Sequence, residues 1–141
     1  MEETLAYHAI VLYKSFFAYT AGQLQSLGLT KGMFPFILYV GKHPGCTPTE
    51  LKERLRLDWG HAQRCISRLE GDGFLVKLHS QQDKRTSHLT LTEKGSRAFA
   101  VSHQVFQDWD GMKLEGLTEE ERETLFTLLH KLLPEPETEI K

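Results

Sequence analysis

The sequence predicts a mainly α-helical domain with a small β-wing, an α+β fold, and three observations support this prediction. Apolar residues recur at the three- and four-residue spacing of amphipathic helices, both before residue 74 and after residue 92. Two runs of strand length, 74–79 and 87–92, flank a polar turn that carries Lys84 and Arg85. Two short predicted helices directly precede this hairpin, and a helix pair followed by a hairpin is the layout of a winged helix-turn-helix.

Residues 4–27 are predicted to form one long helix with two apolar stripes. Two stripes cover more of the circumference than one packing partner requires, so this helix should be buried on both sides. A second subunit would bury it economically, whereas a central position in a monomer's own core is the alternative. The stripes consist of Leu5, Ala9, Leu12, Phe16 and Tyr19, and of Ala6, Ile10, Tyr13, Phe17, Leu24 and Leu27.

The second predicted helix follows a break at 28–30 and is apolar over most of its length. Thr30 is expected to cap this helix. Pro35 falls near its first turn, where a missing N–H is tolerated. The glycines and the proline of segment 41–45 end it.

A capping box predicts the start of a third, shorter helix. Thr47 can accept a hydrogen bond from the backbone N–H of Glu50, whose side chain can reach back to Thr47. Pro48 stands at the first helical position, where its missing N–H costs nothing. Leu51 and Leu55 then give this helix one apolar edge.

The fourth predicted helix begins after Asp58, which can cap it, and Gly73 stops it. Trp59 lies in its first turn and is expected to pack against the neighbouring helix rather than to stack on DNA. Helical spacing divides the other residues into an inward and an outward set. The inward set is Ala62, Cys65, Ile66 and Leu69, and the outward set is Gly60, His61, Gln63, Arg64, Ser67 and Arg68.

This arrangement is typical of a protein that binds duplex DNA. A helix fits the major groove when one side packs on the core and the other offers donors such as Arg and Gln to base edges. A ribbon tip with Lys84 and Arg85 can reach phosphates or a narrow minor groove, where negative potential is concentrated. The alternative is a small α+β domain with a solvated helix face and an ordinary charged turn.

Two further helices complete the predicted domain. The fifth covers residues 93–113, and the sixth starts at a capping box formed by Thr118 and Glu121 and ends at Pro134. The main apolar stripe of the fifth helix is predicted to be Ala98, Val101, Val105, Trp109 and Met112, with Phe99 and Phe106 adjoining. The apolar seam of the sixth is Leu125, Leu128, Leu129, Leu132 and Leu133.

Several motifs together resemble a known family. Asp58, Arg64, Leu69-Glu70 and Gly73-Phe74-Leu75-Val76 are followed by Asp83-Lys84-Arg85 and then by Leu89-Thr90-Leu91-Thr92-Glu93-Lys94-Gly95. This pattern resembles the MarR family of bacterial transcription regulators, and the likeness extends over nearly the whole chain. The resemblance implies a homodimer that binds a pseudo-palindromic site in double-stranded DNA. It also implies a regulator that is often a repressor and is often released by a small ligand.

The resemblance further implies how a single domain, residues 1–141, divides its tasks. Segments 1–30 and 114–141 would be dimerisation helices that pair across the dimer. Segment 31–95 would be the winged-helix part that reads DNA, and 96–113 the connecting helix. A winged-helix module that binds protein through the same face is the alternative from a different functional class.

The predicted DNA contacts lie on the third and fourth helices and on the wing. Arg64 is the strongest candidate because it can bind guanine or a phosphate through two parallel hydrogen bonds. Gln63 can read adenine, Arg85 is expected in the minor groove, and the resemblance implies that Asp83 orients the wing. The full set is Thr47, Thr49, His61, Gln63, Arg64, Ser67, Arg68, Lys77, Lys84 and Arg85. Members of the family often carry small hydroxyl residues where this chain has Gly60, His61 and Gln63, so its operator sequence is not predictable.

Family members often bind small aromatic or anionic ligands beside the second helix. Four residues are candidates to line such a cavity in this chain: Tyr7, His8, Phe34 and Tyr39. The alternative is that these are ordinary core aromatics.

The distribution of charge agrees with a DNA-binding segment. The net charge is −2, but nine of the 17 Lys and Arg residues and only seven of the 19 Asp and Glu residues fall within 47–95. This places the excess positive charge on the predicted wing and reading helix.

Other functional classes find little support in the sequence. There is no signal-peptide pattern and no apolar run near the roughly 18–20 residues that a membrane span needs. Cys46 and Cys65 are two isolated cysteines, which favours inert thiols in a reducing cytoplasm. No phosphate loop, nucleophile elbow or other enzyme motif appears, so neither catalysis nor a cofactor is expected. Zinc sensing through His8, His43 and His103 remains an alternative, although their spacing is not that of metal ligands.

Overall fold

The computed structural model describes residues 3–79, 82 and 85–134, and it confirms a mainly helical fold with a two-stranded wing. Among these residues, none of the helices is both long and apolar enough to cross a membrane. The elements are α1 (Leu5–Leu27), a short 3₁₀ turn (Lys31–Met33), α2 (Phe34–Lys42), α3 (Pro48–Arg54), α4 (Trp59–Gly71), β1 (Leu75–His79), β2 (Ser87–Leu91), α5 (Glu93–Leu114) and α6 (Glu119–Leu132).

Local capping explains where most of these helices begin. Thr47 accepts from the backbone N–H of Glu50 at 3.1 Å, Asp58 does so from His61 at 2.8 Å, and Thr92 does so from Gly95 at 3.0 Å. Each bond satisfies one of the four N–H groups that a helix leaves unpaired at its start. The predicted capping box of α6 is complete, because Thr118 and Glu121 exchange both of its hydrogen bonds.

Thr30 is an exception, and the prediction that its side chain caps α2 is wrong. Thr30 stands before the 3₁₀ turn in extended conformation and makes no side-chain cap hydrogen bond, while Met33 occupies the position before α2. The chain therefore enters α2 through a tighter turn, with Pro35 in the first helical turn as predicted.

The wing is an antiparallel hairpin in which Leu75 pairs with Leu91 and His79 with Ser87. The structure adds a contact that the sequence did not predict: Cys46 forms a bridge to Leu89 on the other edge of β2. The backbone N–H of Leu89 donates to the carbonyl of Cys46 at 2.8 Å. The segment before α3 is thereby tied to the base of the wing, which holds α3, α4 and the hairpin in one unit.

The core lies beneath α2, α3, α4 and the wing. Its fully buried side chains are mostly aromatic or branched and come from every one of these elements: Phe34, Phe36, Ile37, Leu51, Ile66, Leu69, Phe74, Leu75 and Leu89. Two glycines allow close packing around it. A β-carbon at Gly95 would overlap the carbonyl of Phe74, and one at Gly41 would overlap the ring of Phe99. Both contacts bring α5 directly against α2 and the start of the wing.

The buried face of α5 differs from the predicted stripe. The structure buries Gly95, Ala98, Ser102 and Val105, whereas Val101 and Met112 are exposed. Helical periodicity alone cannot choose between Val101 and its neighbour Ser102, because they lie on adjacent sides of the helix. The contacts of α5 with α1 and α2 make that choice within a chain.

The two ends of the chain leave apolar surface uncovered. The second half of α1 packs on α5, where the ring of Phe16 lies 5.0 Å from Phe106 and 5.3 Å from Trp109 between centroids. Large apolar side chains in its first half are 39–67% exposed, and no residue of α6 is buried. The exposed set includes Leu5, Tyr7, Ile10, Val11, Leu12 and Tyr13 on α1, and Phe126, Leu128 and Leu132 on α6 with Leu133 after it. The alternative, that α1 is a central helix of a monomer's own core, therefore does not hold for its first half. Its burial by a second subunit stays a prediction.

Candidate nucleic-acid interface

One side of α4 packs on the core, and the side chains on its opposite side face solvent. Ala62, Ile66 and Leu69 are 0–2% exposed, and Cys65 is half-buried. The inward set predicted from the sequence is therefore confirmed, with Cys65 at its margin. The opposite side presents four predicted contact residues to solvent: Gln63, Arg64, Ser67 and Arg68.

A cleft of about 530 Å³ lies between the start of α3, the outer face of α4 and the wing. It brings together six of the predicted contact residues, which come from four separate stretches of the chain. Its lining consists of Thr47, Pro48, Thr49, Trp59, Gln63, Ile66, Ser67, Lys77, Arg85, Thr86 and Ser87. The cleft is thus surrounded by hydroxyl, amide, ammonium and guanidinium groups. These groups can donate hydrogen bonds to base edges and to phosphate oxygens.

Arg64 and Arg68 lie outside the cleft lining, and each lies near an acidic side chain. Arg64 extends over Gly60, where an added β-carbon would lie 3.2 Å from its Nη1 and 3.5 Å from Oδ1 of Asp58. Nε of Arg68 lies 3.7 Å from Oδ2 of Asp72, one turn further along. The Arg68–Asp72 pair is exposed and therefore weak, so the guanidinium of Arg68 can exchange this carboxylate for a phosphate.

Asp58 is held in its ionised form by the start of α4. The backbone N–H of His61 is the main cause that lowers the pKa of Asp58 below its ordinary value, and the charges of Arg64 and His61 add to it. An ionised carboxylate at this position also complements the positive end of the helix dipole. The start of α4 is therefore well defined.

His61 is a predicted contact that does not line the cleft. Its Nε2 lies 3.7 Å from the sulfur of Cys65, and its ring centroid lies 6.5 Å from that of Phe36. This imidazole is half-buried on the inner edge of α4. A base contact by His61 would require rotation of the side chain, and its proposed role remains a prediction.

On the wing, the predicted contacts Lys77 and Arg85 lie within the described residues. Lys77 lines the cleft, and its Nζ lies 3.8 Å from Oε1 of Glu70. Arg85 is exposed and lines the cleft from the opposite side. Lys84 and Asp83 lie outside the described residues, so the predicted contact of the first and the predicted orienting role of the second stay predictions.

The cleft also contains residues that the sequence analysis did not assign to the site. Thr86 and Ser87 follow Arg85 into the lining, and Trp59 contributes an indole that is 41% exposed. The predicted packing of Trp59 against the neighbouring helix stays a prediction, and the structure adds that this residue also lines the cleft. A signal was present in the sequence, since a large aromatic residue stands on an otherwise polar helix face.

The four candidate ligand-binding residues lie in different surroundings. Tyr7 and His8 are exposed neighbours on α1, with ring centroids 5.5 Å apart. Phe34 is 1% exposed and packs in the core with its centroid 5.7 Å from that of Phe106. The ring of Tyr39 lies 4.4 Å from that of His43. Within one chain, no described contact joins these three places into a single cavity.

The cysteines and histidines do not combine into a recognisable metal centre in the described part of the chain. Among residues 3–79, 82 and 85–134, no group of three or more His, Cys, Asp or Glu residues is placed to hold a metal ion. Cys46 and Cys65 are both free thiols. Burial raises the pKa of Cys46 to about 11 and also raises that of Cys65, so both are protonated at neutral pH. Protonated, largely buried thiols react slowly with oxidants.

Comparison with known proteins relates this chain to transcription regulators. The model of the MarR family matches residues 36–87, which run from α2 to the start of β2. The HTH-type transcriptional regulator BilQ of Clostridium symbiosum is 41% identical over 132 residues, covering 94% of this chain and 92% of that protein. The multiple antibiotic resistance protein MarR of Escherichia coli is 34% identical over 112 residues, covering 79% of this chain and 78% of that protein.

A solved structure shows the same fold with nucleic acid present. A MarR family transcriptional regulator from Listeria monocytogenes, complexed with 26mer DNA, superimposes with a TM-score of 0.84 at 25% identity. The superposition covers 94% of this chain and 87% of that one.

Proposed function

The chain belongs to the MarR family of DNA-binding transcription regulators, and we propose that it acts as a ligand-responsive homodimeric repressor of a pseudo-palindromic operator. The observation that carries this proposal is the cleft, in which the outer face of α4 and Arg85 of the wing surround one concave surface. In this proposal α4 enters the major groove, and the side chain of Arg85 contacts the adjacent minor groove.

The proposed contacts divide by chemistry. Gln63 and Arg64 read base edges, because their side chains can form paired hydrogen bonds to adenine and guanine. Thr47 and Thr49, at the start of α3, and Ser67, Arg68, Lys77 and Lys84 position the protein on phosphates. His61 is an additional proposed contact, and Asp83 orients the wing.

A homodimer accounts for the apolar surface that a single chain leaves uncovered. The exposed side chains of α1 and α6 lie in the segments 1–30 and 114–141, which we assign to dimerisation. Pairing them removes this surface from water and sets the two α4 helices about one turn of DNA, roughly 34 Å, apart. Segment 31–95 then reads DNA, and 96–113 connects it to the dimer interface.

The repressor is proposed to respond to a small aromatic or anionic ligand that binds beside α2. Tyr7, His8, Phe34 and Tyr39 are the proposed lining residues. A ligand that prefers one separation of the two α4 helices would shift the dimer towards that separation and change DNA affinity without touching a base contact. The proposed setting is the bacterial cytoplasm, and we propose no catalytic role.

The proposal is tested by fluorescence anisotropy on a labelled duplex from upstream of the protein's own coding region. Titrations at several salt concentrations are compared with those on a scrambled duplex of equal length. We expect tighter binding to the upstream duplex and an affinity that falls steeply with salt, because phosphate contacts release counterions. Binding that ignores salt, or that does not distinguish the two duplexes, would contradict sequence-specific DNA binding.

A further inference from the structure

A large, partly exposed aromatic side chain stands at the first position of the reading helix. Trp59 is the first residue of α4, directly after its cap Asp58, and its side chain is 41% exposed. It lines the cleft together with Thr47, Pro48 and Thr49 of the preceding helix start. A single exposed apolar residue is common on protein surfaces, but this one lies inside a concave and otherwise mostly polar site.

Trp59 belongs to a row of side chains that face the cleft. Gln63 and Ser67 follow it at intervals of four residues, which places all three on one side of α4, and all three line the cleft. Four residues of helix rise by about 6 Å, which is close to the rise of two base pairs. In helix-turn-helix proteins, the N-terminal part of the second helix contacts the base edges. Trp59 thus stands where a base edge would be met first.

The chemistry of the major groove selects the base that an indole would contact. The base edges there present donors and acceptors, and the C5-methyl group of thymine is the apolar exception. An apolar side chain that met only polar edges would desolvate them without replacing their hydrogen bonds. Contact with a thymine methyl instead removes apolar surface from both partners.

We propose that Trp59 is a specificity-determining residue that packs against the methyl group of a thymine in each operator half-site. Gln63, one turn further along the same row, hydrogen-bonds an adenine about two base pairs away. This inference rests on the proposed function, and it adds to it a requirement that the operator carries A·T pairs beneath the start of α4.

The test begins with duplexes selected from a random pool by the full-length protein. Each thymine of an enriched duplex is then replaced in turn by deoxyuridine, which differs only in lacking the methyl group. We expect one position in each half-site at which this replacement weakens binding about fourfold, the value of one buried methyl-sized group. Trp59→Ala should bind the parent duplex more weakly than the wild type does. Replacing the critical thymine by deoxyuridine should then weaken the binding of this variant no further.

Matched variants distinguish this contact from a general loss of folding or affinity. Trp109→Phe changes the chain's other tryptophan, which lies on α5 outside the cleft lining, and should retain the dependence on the methyl group. Trp59→Phe keeps an apolar ring and should retain part of it, which provides a second variant if Trp59→Ala does not fold. If every deoxyuridine duplex binds the wild type as well as its parent does, the inference is wrong.

The outcome also separates this inference from the proposed function. Enriched duplexes with no dependence on any thymine methyl would leave DNA reading intact and reject only the role of Trp59. A uniform loss for Trp59→Phe on all duplexes would instead indicate that the indole N–H contacts a phosphate, which also rejects the methyl contact. Failure to enrich any duplex, with no salt-dependent binding, would reject the proposed function itself.

Discussion

Arg64 and Arg85 carry the same charged group, yet their positions predict different roles. Arg64 stands on the outer face of α4, near Asp58, whereas Arg85 lines the cleft from the wing. A base contact raises the affinity for some DNA sequences more than for others, whereas a phosphate or minor-groove contact raises the affinity for many sequences alike.

We therefore expect two distinguishable losses on the upstream duplex. Arg64→Ala should cost on the order of 1–3 kcal/mol of binding free energy and relax specificity. Arg85→Ala should weaken binding to all duplexes and reduce the salt slope by about 1. Anisotropy at several salt concentrations measures both quantities. Arg97→Ala is the control, because Arg97 lies on α5 and pairs with Glu93 away from the cleft. If both variants bind like the control, these assignments are wrong.

Asp58 makes the stability of the chain depend on pH in a defined direction. Its pKa is lowered in the folded protein, chiefly by the N–H of His61. A carboxyl group whose folded pKa is depressed stabilises the fold above its unfolded pKa, near 3.9, and loses that contribution as pH falls through the folded pKa.

Asp58→Asn separates this electrostatic contribution from the cap itself. Asparagine caps helices about as well as aspartate but carries no charge. We expect the wild type to be the more stable of the two at neutral pH. The difference should begin to shrink as the pH falls below about 4 and should vanish once the pH is below the depressed folded pKa. Urea denaturation of both proteins across this range measures the difference. A gap that stays constant with pH would contradict an ionised cap.

At the scale of elements, the join between the wing and α5 depends on close packing at Gly95. A β-carbon there would overlap the carbonyl of Phe74, which is backbone and cannot move aside without shifting β1 or α5. Gly111 lies on the same helix with nothing within 4 Å of the corresponding position.

These two glycines make a matched pair for substitution by alanine. We expect Gly95→Ala to lower the free energy of unfolding by about 1–3 kcal/mol through overpacking. Gly111→Ala should raise it by roughly 0.5–1 kcal/mol, because alanine loses less backbone entropy in a helix. Urea denaturation measures both. Equal effects of the two substitutions would show that Gly95 tolerates a side chain and that its close packing on Phe74 is not required.

At the scale of the whole molecule, the proposed dimer depends on the apolar surface that α1 and α6 leave exposed in one chain. Ile10 and Leu132 are each 54% exposed in one chain, on opposite terminal helices. A charge placed at either position would have to be buried in the proposed dimer interface.

We expect Ile10→Glu and Leu132→Glu to convert the dimer to monomers in sedimentation velocity experiments. DNA affinity should fall about a hundredfold or more, since a monomer loses the gain from binding two linked half-sites. Leu78→Glu is the control for oligomeric state, because Leu78 is 55% exposed but lies on the wing. Variants of α1 and α6 that remain dimeric would contradict the assignment of these helices to dimerisation.

Much of the fold could be predicted from the sequence because its signals are local. The caps formed by Thr47, Asp58 and Thr118 involve groups within three residues of one another, so sequence spacing suffices to find them. The inward side of α4 follows in the same way, since a short helix with one apolar edge has one way to meet the core. Once the inward side of α4 is known, helical spacing places Gln63 and Arg64 on the outward side.

Only the tertiary structure decided which distant residues meet. The bridge from Cys46 to Leu89, the burial of Ser102 in preference to Val101, and the entry of Trp59 into the cleft depend on elements far apart in the chain. Periodicity identifies an apolar face but not the partner that covers it, and it assigns no cleft to residues that come from separate elements. By itself, the sequence therefore determined the helices, the wing and the reading face, while long-range packing determined the shape and lining of the site.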